Sequence, residues 1–114
     1  MGYRRTPFVE GEWYHCYSRG IDKRTVFENA KEFERFTELL YLGNDIKLID
    51  RASMRKLSHD EILQLPRESP LVAIGAYNLM DNHFHLLLQE KTANGISKFM
   101  HKVGTGYTKY YNLK

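Results

Sequence analysis

Cysteine is nearly absent from the chain, which has one, Cys16, among 114 residues. A single cysteine excludes an internal disulfide and every zinc site built from several cysteines, so we expect Cys16 to pack as a small buried hydrophobe. Long apolar runs are also absent, and no N-terminal stretch has the apolar core of a secretion signal. The sequence therefore predicts a cytoplasmic protein with no membrane-spanning segment.

Acidic residues are missing from positions 91–114, which contain five lysines. The net charge of +3 is too small to diagnose a nucleic-acid-binding protein, but a surface of one sign can neutralise phosphates. We interpret Lys98, Lys102 and Lys109 as candidate phosphate contacts, together with Arg4 and Arg5 at the start of the chain. The alternative is a soluble helix face that happens to use lysine.

The length of 114 residues, with 42% hydrophobic and 13% aromatic residues, predicts one globular domain with a modest core. The strongest local pattern is a β-hairpin, with a strand over 71–79, a turn at 80–82 and a strand over 84–89. Side chains alternate along a strand, so His83 and His85 should share one face while the apolar residues between and after them turn to the core.

Two imidazoles on one strand face suit a divalent metal ion, because neutral imidazole nitrogen is a common ligand. An ion with free coordination positions can polarise a phosphoryl oxygen. We therefore interpret His83 and His85 as candidate metal ligands. The alternative is that both histidines only decorate the solvated face of a half-buried strand, and this short motif by itself leaves that alternative open.

A first strand is predicted over 13–18, with Trp13, His15 and Tyr17 on one face. We interpret His15 as a hydrogen-bonded structural residue rather than a ligand, because polar side chains on strands are usually satisfied in this way. Asn29 can cap a helix that runs to about residue 42 and stops at Gly43.

A second long helix should start after a cap at Thr92 or Asn94, since apolar residues then recur at helical spacing through four turns. Gly104 and Gly106 lie inside it, where they either allow close backbone approach or kink the helix. Residues 44–70 interrupt the pattern with balanced charges and two prolines. A capping-box signature at 58–61 predicts a short helix there, and we expect the segment to be a surface insertion.

The order strand, helix, strand, strand, helix predicts an α+β fold of the ferredoxin-like β-α-β-β-α(-β) type. Its antiparallel sheet should carry both helices on one face. The final strand of that pattern has no counterpart in the sequence.

Three segments resemble a known family, and they occur in its order. They are YHCYSRG at 14–20, YNLMDNHFHLLL at 77–88, and ISKFM at 96–100 followed by GTGYTKYYN at 104–112. Together they resemble the insertion-sequence-200-like transposases, the single-tyrosine HUH enzymes, especially the branch of REP-associated transposases.

This resemblance implies a chemistry for the histidine pair. A divalent ion, Mg²⁺ or Mn²⁺, held by His83 and His85 would grip the scissile phosphate while a tyrosine attacks it, giving a 5′-phosphotyrosine and a free 3′-hydroxyl. The implied substrate is single-stranded DNA with a hairpin, and the implied full-length enzyme is a homodimer. Arg19, at the exit of the first strand, joins the expected DNA-binding residues.

The resemblance also implies a fourth strand and a helix with the nucleophilic tyrosine after the second helix, and the sequence stops at Lys114. We expect both elements to lie beyond the chain end, so no residue is assigned as catalytic. Tyr107, Tyr110 and Tyr111 continue the apolar stripe of the second helix and should pack in the core. We therefore expect this chain by itself not to cleave and rejoin DNA.

Three other functions remain open. The chain could be an inactive remnant that binds DNA and metal without catalysis. It could be a metal-free nucleic-acid-binding module of the RRM type, although the characteristic glycine- and aromatic-rich motif is missing. A two-histidine phosphodiesterase would need a second H-x-[ST] motif, which the sequence does not contain.

Overall fold

A computed structural model describes residues 7–19, 27, 29–80 and 83–112 of the chain. Its elements are strands β1 (Trp13–Arg19), β2 (Val72–Met80) and β3 (His83–Glu90), helices α1 (Ala30–Gly43), α2 (His59–Ile62) and α3 (Gly95–Asn112), and a 3₁₀ helix at Arg51–Met54. The predicted α+β class is confirmed, and the element order is compatible with a ferredoxin-like fold. No helix in these ranges is long and apolar enough to cross a membrane.

The sheet is antiparallel with strand order β1-β3-β2, so β3 is hydrogen-bonded on both sides. The predicted hairpin is formed by β2 and β3, and Met80 pairs with His83; the other two residues of the predicted turn lie outside the described ranges. The register shifts at Gly75 in β2. A Cβ atom at Gly75 would lie 2.8 Å from the Trp13 ring, which shows that this ring reaches across β3.

Both long helices cover one face of the sheet, as predicted. That face carries Phe84, Leu86 and Leu88 of β3, which are 8%, 0% and 0% exposed. The Phe36 ring of α1 lies 4.8 Å from the Phe84 ring, and the apolar side of α3, including Phe99, joins the same core. The opposite face of the sheet carries no helix among the described residues, so it is open to solvent.

Side chains accept hydrogen bonds from the first backbone amides of both α1 and α3. Asn29 caps α1 as predicted, and its Oδ1 accepts a hydrogen bond from the Glu32 amide at 3.2 Å. At the start of α3, the carboxylate of Glu90 accepts from the Ile96 amide at 2.7 Å. The sequence predicts a cap at Thr92 or Asn94. Asn94 directly precedes the helix, but the side chain that accepts from the Ile96 amide is that of Glu90. Glu90 is 2% exposed, so this hydrogen bond gives a buried carboxyl group a partner at the helix N-terminus.

Residues 44–70 are fastened at both ends. The Asn44 side chain donates to the Val72 carbonyl and accepts from the amides of Leu71 and Val72, each at 2.9 Å. The Asp45 carboxylate accepts from the Ser69 amide at 2.8 Å. The capping box at 58–61 is present, as predicted. The segment therefore forms a closed loop tied to the start of β2.

Candidate functional site

His83 and His85 lie together on the open face of the sheet. Their ring centroids are 5.0 Å apart and the rings are nearly perpendicular, at 85°. Both side chains are partly exposed, while Phe84 between them is buried. The strand alternation predicted from the sequence is therefore present, and it presents two imidazoles to solvent at one point of the sheet.

His15 of β1 joins this pair. Its Nε2 atom lies 2.8 Å from Nδ1 of His85, within hydrogen-bonding distance. The two ring planes differ by 6°, and the ring centroids are 4.9 Å apart. Because the two nitrogens are much closer than the centroids, the rings approach each other at their nitrogen-bearing edges, with nearly parallel planes. His15 is thus hydrogen-bonded, as the sequence predicted, but its partner is one of the candidate metal ligands.

Sequence reasoning missed this contact, although part of its signal was present. Strand alternation already placed His15 on one face with Trp13 and Tyr17. What local sequence does not reveal is that β1 pairs with β3 in the register that sets Tyr17 opposite His85. That pairing makes His15 and His85 diagonal neighbours on the open face.

The surroundings of His85 favour its neutral form. Partial burial lowers the pKa of His85 first, and the nearby imidazoles of His15 and His83 lower it further, because a second positive charge would repel the first. A neutral imidazole has a free lone pair, which metal binding requires. The electrostatics of the cluster therefore favour the form of His85 that can act as a ligand.

The donor set fits a divalent ion that keeps open coordination positions. His83 and His85 offer two imidazole nitrogens, and within the described ranges no group of three His, Cys, Asp or Glu side chains is arranged to hold a metal ion. Two protein ligands would leave coordination positions on such an ion for phosphate oxygens or water.

Exposed aromatic rings flank the histidines on β1. Trp13 is 47% exposed and Tyr17 is 56% exposed. The Tyr17 ring stacks beside His85 with centroids 5.8 Å apart. Large aromatic rings left open on a sheet face offer surfaces on which other planar rings can stack.

The structure separates the predicted basic residues from the histidines. Lys98 and Lys109 are exposed on α3, which packs on the opposite side of the sheet. The Lys102 ammonium donates to the backbone carbonyls of Asp45 and Lys47, the second at 2.7 Å. Burial lowers the pKa of Lys102 and the charge of Asp45 opposes that shift. Lys102 therefore fastens the loop at 45–47 to α3.

The other predicted DNA-binding residues are arginines near the start of the chain. Arg4 and Arg5 lie outside the described residues. The backbone of Arg19 ends β1 and pairs with His83, which places this residue beside the histidine pair.

The tyrosines of α3 lie on the helix side of the sheet, as expected. Tyr107 is 7% exposed, and its ring contacts Phe27 and Phe36 at centroid distances of 5.4 and 5.5 Å. Tyr110 lies under the Arg35 guanidinium, 4.3 Å from the ring centroid. Since these rings are held on the far side of the sheet, they do not face His83 and His85.

The chain matches a known protein family. Residues 9–114 match the family described as transposase IS200 like. No curated protein and no solved structure matches the chain significantly. The family match spans most of the chain and includes the strand with the histidine pair, and the family implies DNA as a partner. The chain belongs to the IS200-like transposase family.

Proposed function

We propose that this chain acts in DNA transposition as an HUH enzyme, binding single-stranded DNA with a hairpin and holding the scissile phosphate at the histidine pair. The observation that carries the proposal is the exposed, side-by-side placement of His83 and His85 on the open sheet face. In the reaction proposed, a tyrosine oxygen forms a bond to the phosphorus and the bond to the 3′ oxygen breaks. The products are a 5′-phosphotyrosine and a 3′-hydroxyl.

The chain's own residues prepare the site in two ways. His83 and His85 would hold a Mg²⁺ or Mn²⁺ ion, and the lowered pKa of His85 favours the neutral imidazole that a metal ion requires. When bound, the ion supplies a Lewis acid beside a phosphoryl oxygen. Trp13 and Tyr17 offer stacking surfaces for unpaired bases close to the histidines, which supports a single-stranded substrate.

Metal binding is tested by calorimetry with Mn²⁺ on the wild type and on His85→Ala. We expect measurable binding by the wild type and a loss of at least tenfold in affinity for the variant. His101→Ala is the matched control, because His101 is an exposed histidine on α3, on the far side of the sheet. Equal affinity of the wild type and His85→Ala would contradict the proposed site.

DNA chemistry is tested with a labelled hairpin oligonucleotide carrying a single-stranded flank, incubated with Mn²⁺ and analysed under denaturing conditions. A denaturant-resistant protein–DNA adduct would show that the chain carries its own nucleophile. Binding without an adduct identifies a chain that holds DNA and metal without cleaving. Tyr17 shares the open face with the histidines, so loss of the adduct in Tyr17→Phe would identify Tyr17 as the nucleophile. Failure to bind any single-stranded DNA would contradict the proposed substrate.

A further inference from the structure

We infer that His15 is a positioning residue that orients His85 for metal binding. In this role, His15 Nε2 accepts a hydrogen bond from the Nδ1–H of His85, and the Nε2 of His85 keeps its lone pair. The inference rests on the proposed metal site. It assigns a function to His15 that neither the family match nor the histidine pair supplies.

The geometry supports a hydrogen bond between the two rings. The two nitrogens are 2.8 Å apart, which is a hydrogen-bonding distance, and the ring planes differ by only 6°. The contact is also fixed by the sheet, because His15 pairs with Leu87 in the register of β1 and β3. A slip of one residue would turn His15 to the opposite face and remove the contact.

Whether Nε2 of His85 can bind a cation depends on which of the two His85 nitrogens carries the proton. A neutral imidazole carries one proton on one of its two nitrogens. If His15 donated to His85 Nδ1, a neutral His85 would carry its proton on Nε2 and could not coordinate there. If His85 donates from Nδ1, its Nε2 is free on the far edge of the ring. Metal-binding histidines commonly donate their second N–H to a fixed acceptor in this way.

His15 acts through His85 rather than as a third ligand. Its Nε2 is occupied by the hydrogen bond to His85, and the described residues contain no three-residue group arranged around one ion. His15 therefore supports the ligand His85 and does not itself bind the ion.

Calorimetry with Mn²⁺ tests this role with three variants. His15→Phe keeps a planar ring of similar size but has no acceptor, so we expect affinity to fall tenfold to a hundredfold. His15→Gln has an amide oxygen that can accept the same proton, and it should retain most of the affinity. His101→Phe should leave the affinity unchanged. Equal affinities of the wild type and His15→Phe would overturn the inference, whereas absence of binding by the wild type would instead overturn the proposed function.

A spectroscopic measurement follows the tautomer without any metal. In the metal-free chain, the nitrogen-15 chemical shifts of the neutral His85 imidazole show which of its two nitrogens carries the proton. We expect the Nδ1–H form of His85 to be more populated in the wild type than in His15→Phe. An unchanged tautomer ratio would overturn the inference, and a general loss of packing would not produce this selective change.

A second candidate binding site is a groove lined by cationic side chains on the helix side of the sheet. It has a volume of about 670 Å³ and lies between α1, α3 and residues 48–55. Its lining includes five cationic side chains, Arg35, Arg51, Arg55, Lys102 and Lys109, together with the Tyr110 ring. One carboxylate, Asp50, lines it among the described residues.

Neighbouring acids neutralise only part of this charge. Arg51 donates to the buried carboxylate of Glu38 at 2.9 Å, and Lys102 interacts with Asp45. The five cations therefore face three carboxylates, which leaves two positive charges in excess. Arg55 and Lys109 are exposed, and no carboxylate pairs with either within the described part of the chain.

We propose that this groove holds the phosphodiester backbone of nucleic acid, on the side of the sheet opposite the histidines. Guanidinium groups suit phosphate oxygens because they donate in a planar fork. The open shape of the groove and its several separated cations fit a chain of phosphates along its length. The transposase would then grip DNA at two separate surfaces.

Salt-dependent binding of a labelled hairpin oligonucleotide tests the groove. Removing two phosphate contacts from a single strand should lower the slope of log affinity against log salt by about 1.4. We expect this decrease for Arg55→Ala/Lys109→Ala. The matched control, Lys31→Ala/Lys56→Ala, removes two exposed charges that do not line the groove. Equal slopes for the two double variants would overturn the proposal.

Discussion

Two glycines of α3 offer a direct test of how the helices pack. A Cβ atom at Gly104 would meet nothing within 4 Å, whereas one at Gly106 would lie 3.0 Å from Cδ2 of Leu39. Leu39 is 2% exposed in the core, so its side chain has little room to move. Gly106 therefore allows α1 to approach α3, and Gly104 has no such role.

The two alanine variants should differ in free energy of unfolding. Replacing glycine inside a helix gains roughly 1 kcal/mol from helix propensity, and Gly104→Ala should show this gain in full. Gly106→Ala gains the same amount but overpacks the core, which typically costs about 1–3 kcal/mol. We expect Gly104→Ala to be more stable than Gly106→Ala by about 1–3 kcal/mol.

Urea unfolding followed by circular dichroism measures the difference, and a change of 1 kcal/mol shifts the melting temperature by about 4 °C for a chain of this size. Leu39→Ala provides the control, because it removes the atoms that the new methyl group would meet. In that background, Gly106→Ala should become as stabilising as Gly104→Ala. Equal stabilisation by both alanines in the wild-type background would refute the close helix approach.

Three further predictions concern the groups that fasten the chain. Burial by itself would raise the pKa of Asp45, but hydrogen bonds from backbone amides outweigh it and lower the pKa below its ordinary value of 3.8. The stability that ionised Asp45 contributes is therefore complete above this ordinary pKa and is lost as pH falls through the lowered pKa of the folded state. We expect the urea midpoint to fall more steeply between pH 7 and 3 for the wild type than for Asp45→Asn. Glu38→Gln weakens hydrogen bonds to Arg51 and His59, each 2.9 Å long, and should cost about 2 kcal/mol in urea unfolding; no loss would contradict the role of this carboxylate. Gly95→Ala would drive a Cβ atom into the backbone carbonyl oxygen of Leu71, so thermal unfolding should show a larger loss of stability than Gly106→Ala, whose methyl group meets a side chain.

Local sequence patterns predicted the elements that build the site. The Asn29 cap, the capping box at 58–61 and the shared face of His83 and His85 each depend on residues within four positions of one another. Capping and strand alternation act over that range, so they are visible without tertiary information. The hairpin and both long helices follow from these signals.

Contacts between distant segments were not predictable in the same way. His15 and His85 are 70 residues apart, and their contact depends on a strand register that neither segment encodes alone. Glu90 caps α3 because the end of β3 lies under the helix start, which is also a tertiary arrangement.

The separation of lysines from histidines did have a sequence signal. The apolar stripe of α3 must cover the apolar side of β3, and the histidines alternate to the other side. Combining these two periodicities places Lys98 and Lys109 away from His83 and His85.

The pairing of β1 with β3 also sets the order in which the histidine cluster assembles during folding. β2 and β3 are joined by a short connection, whereas His15 must close a loop of 70 residues to reach His85. Closing the longer loop costs more chain entropy, so we expect the hairpin to form first and β1 to dock late. A partly folded chain would then already hold His83 and His85 together, but without the ring that orients His85. For the proposed metal site, full affinity would then arise only at the last docking step, so metal binding would report complete folding.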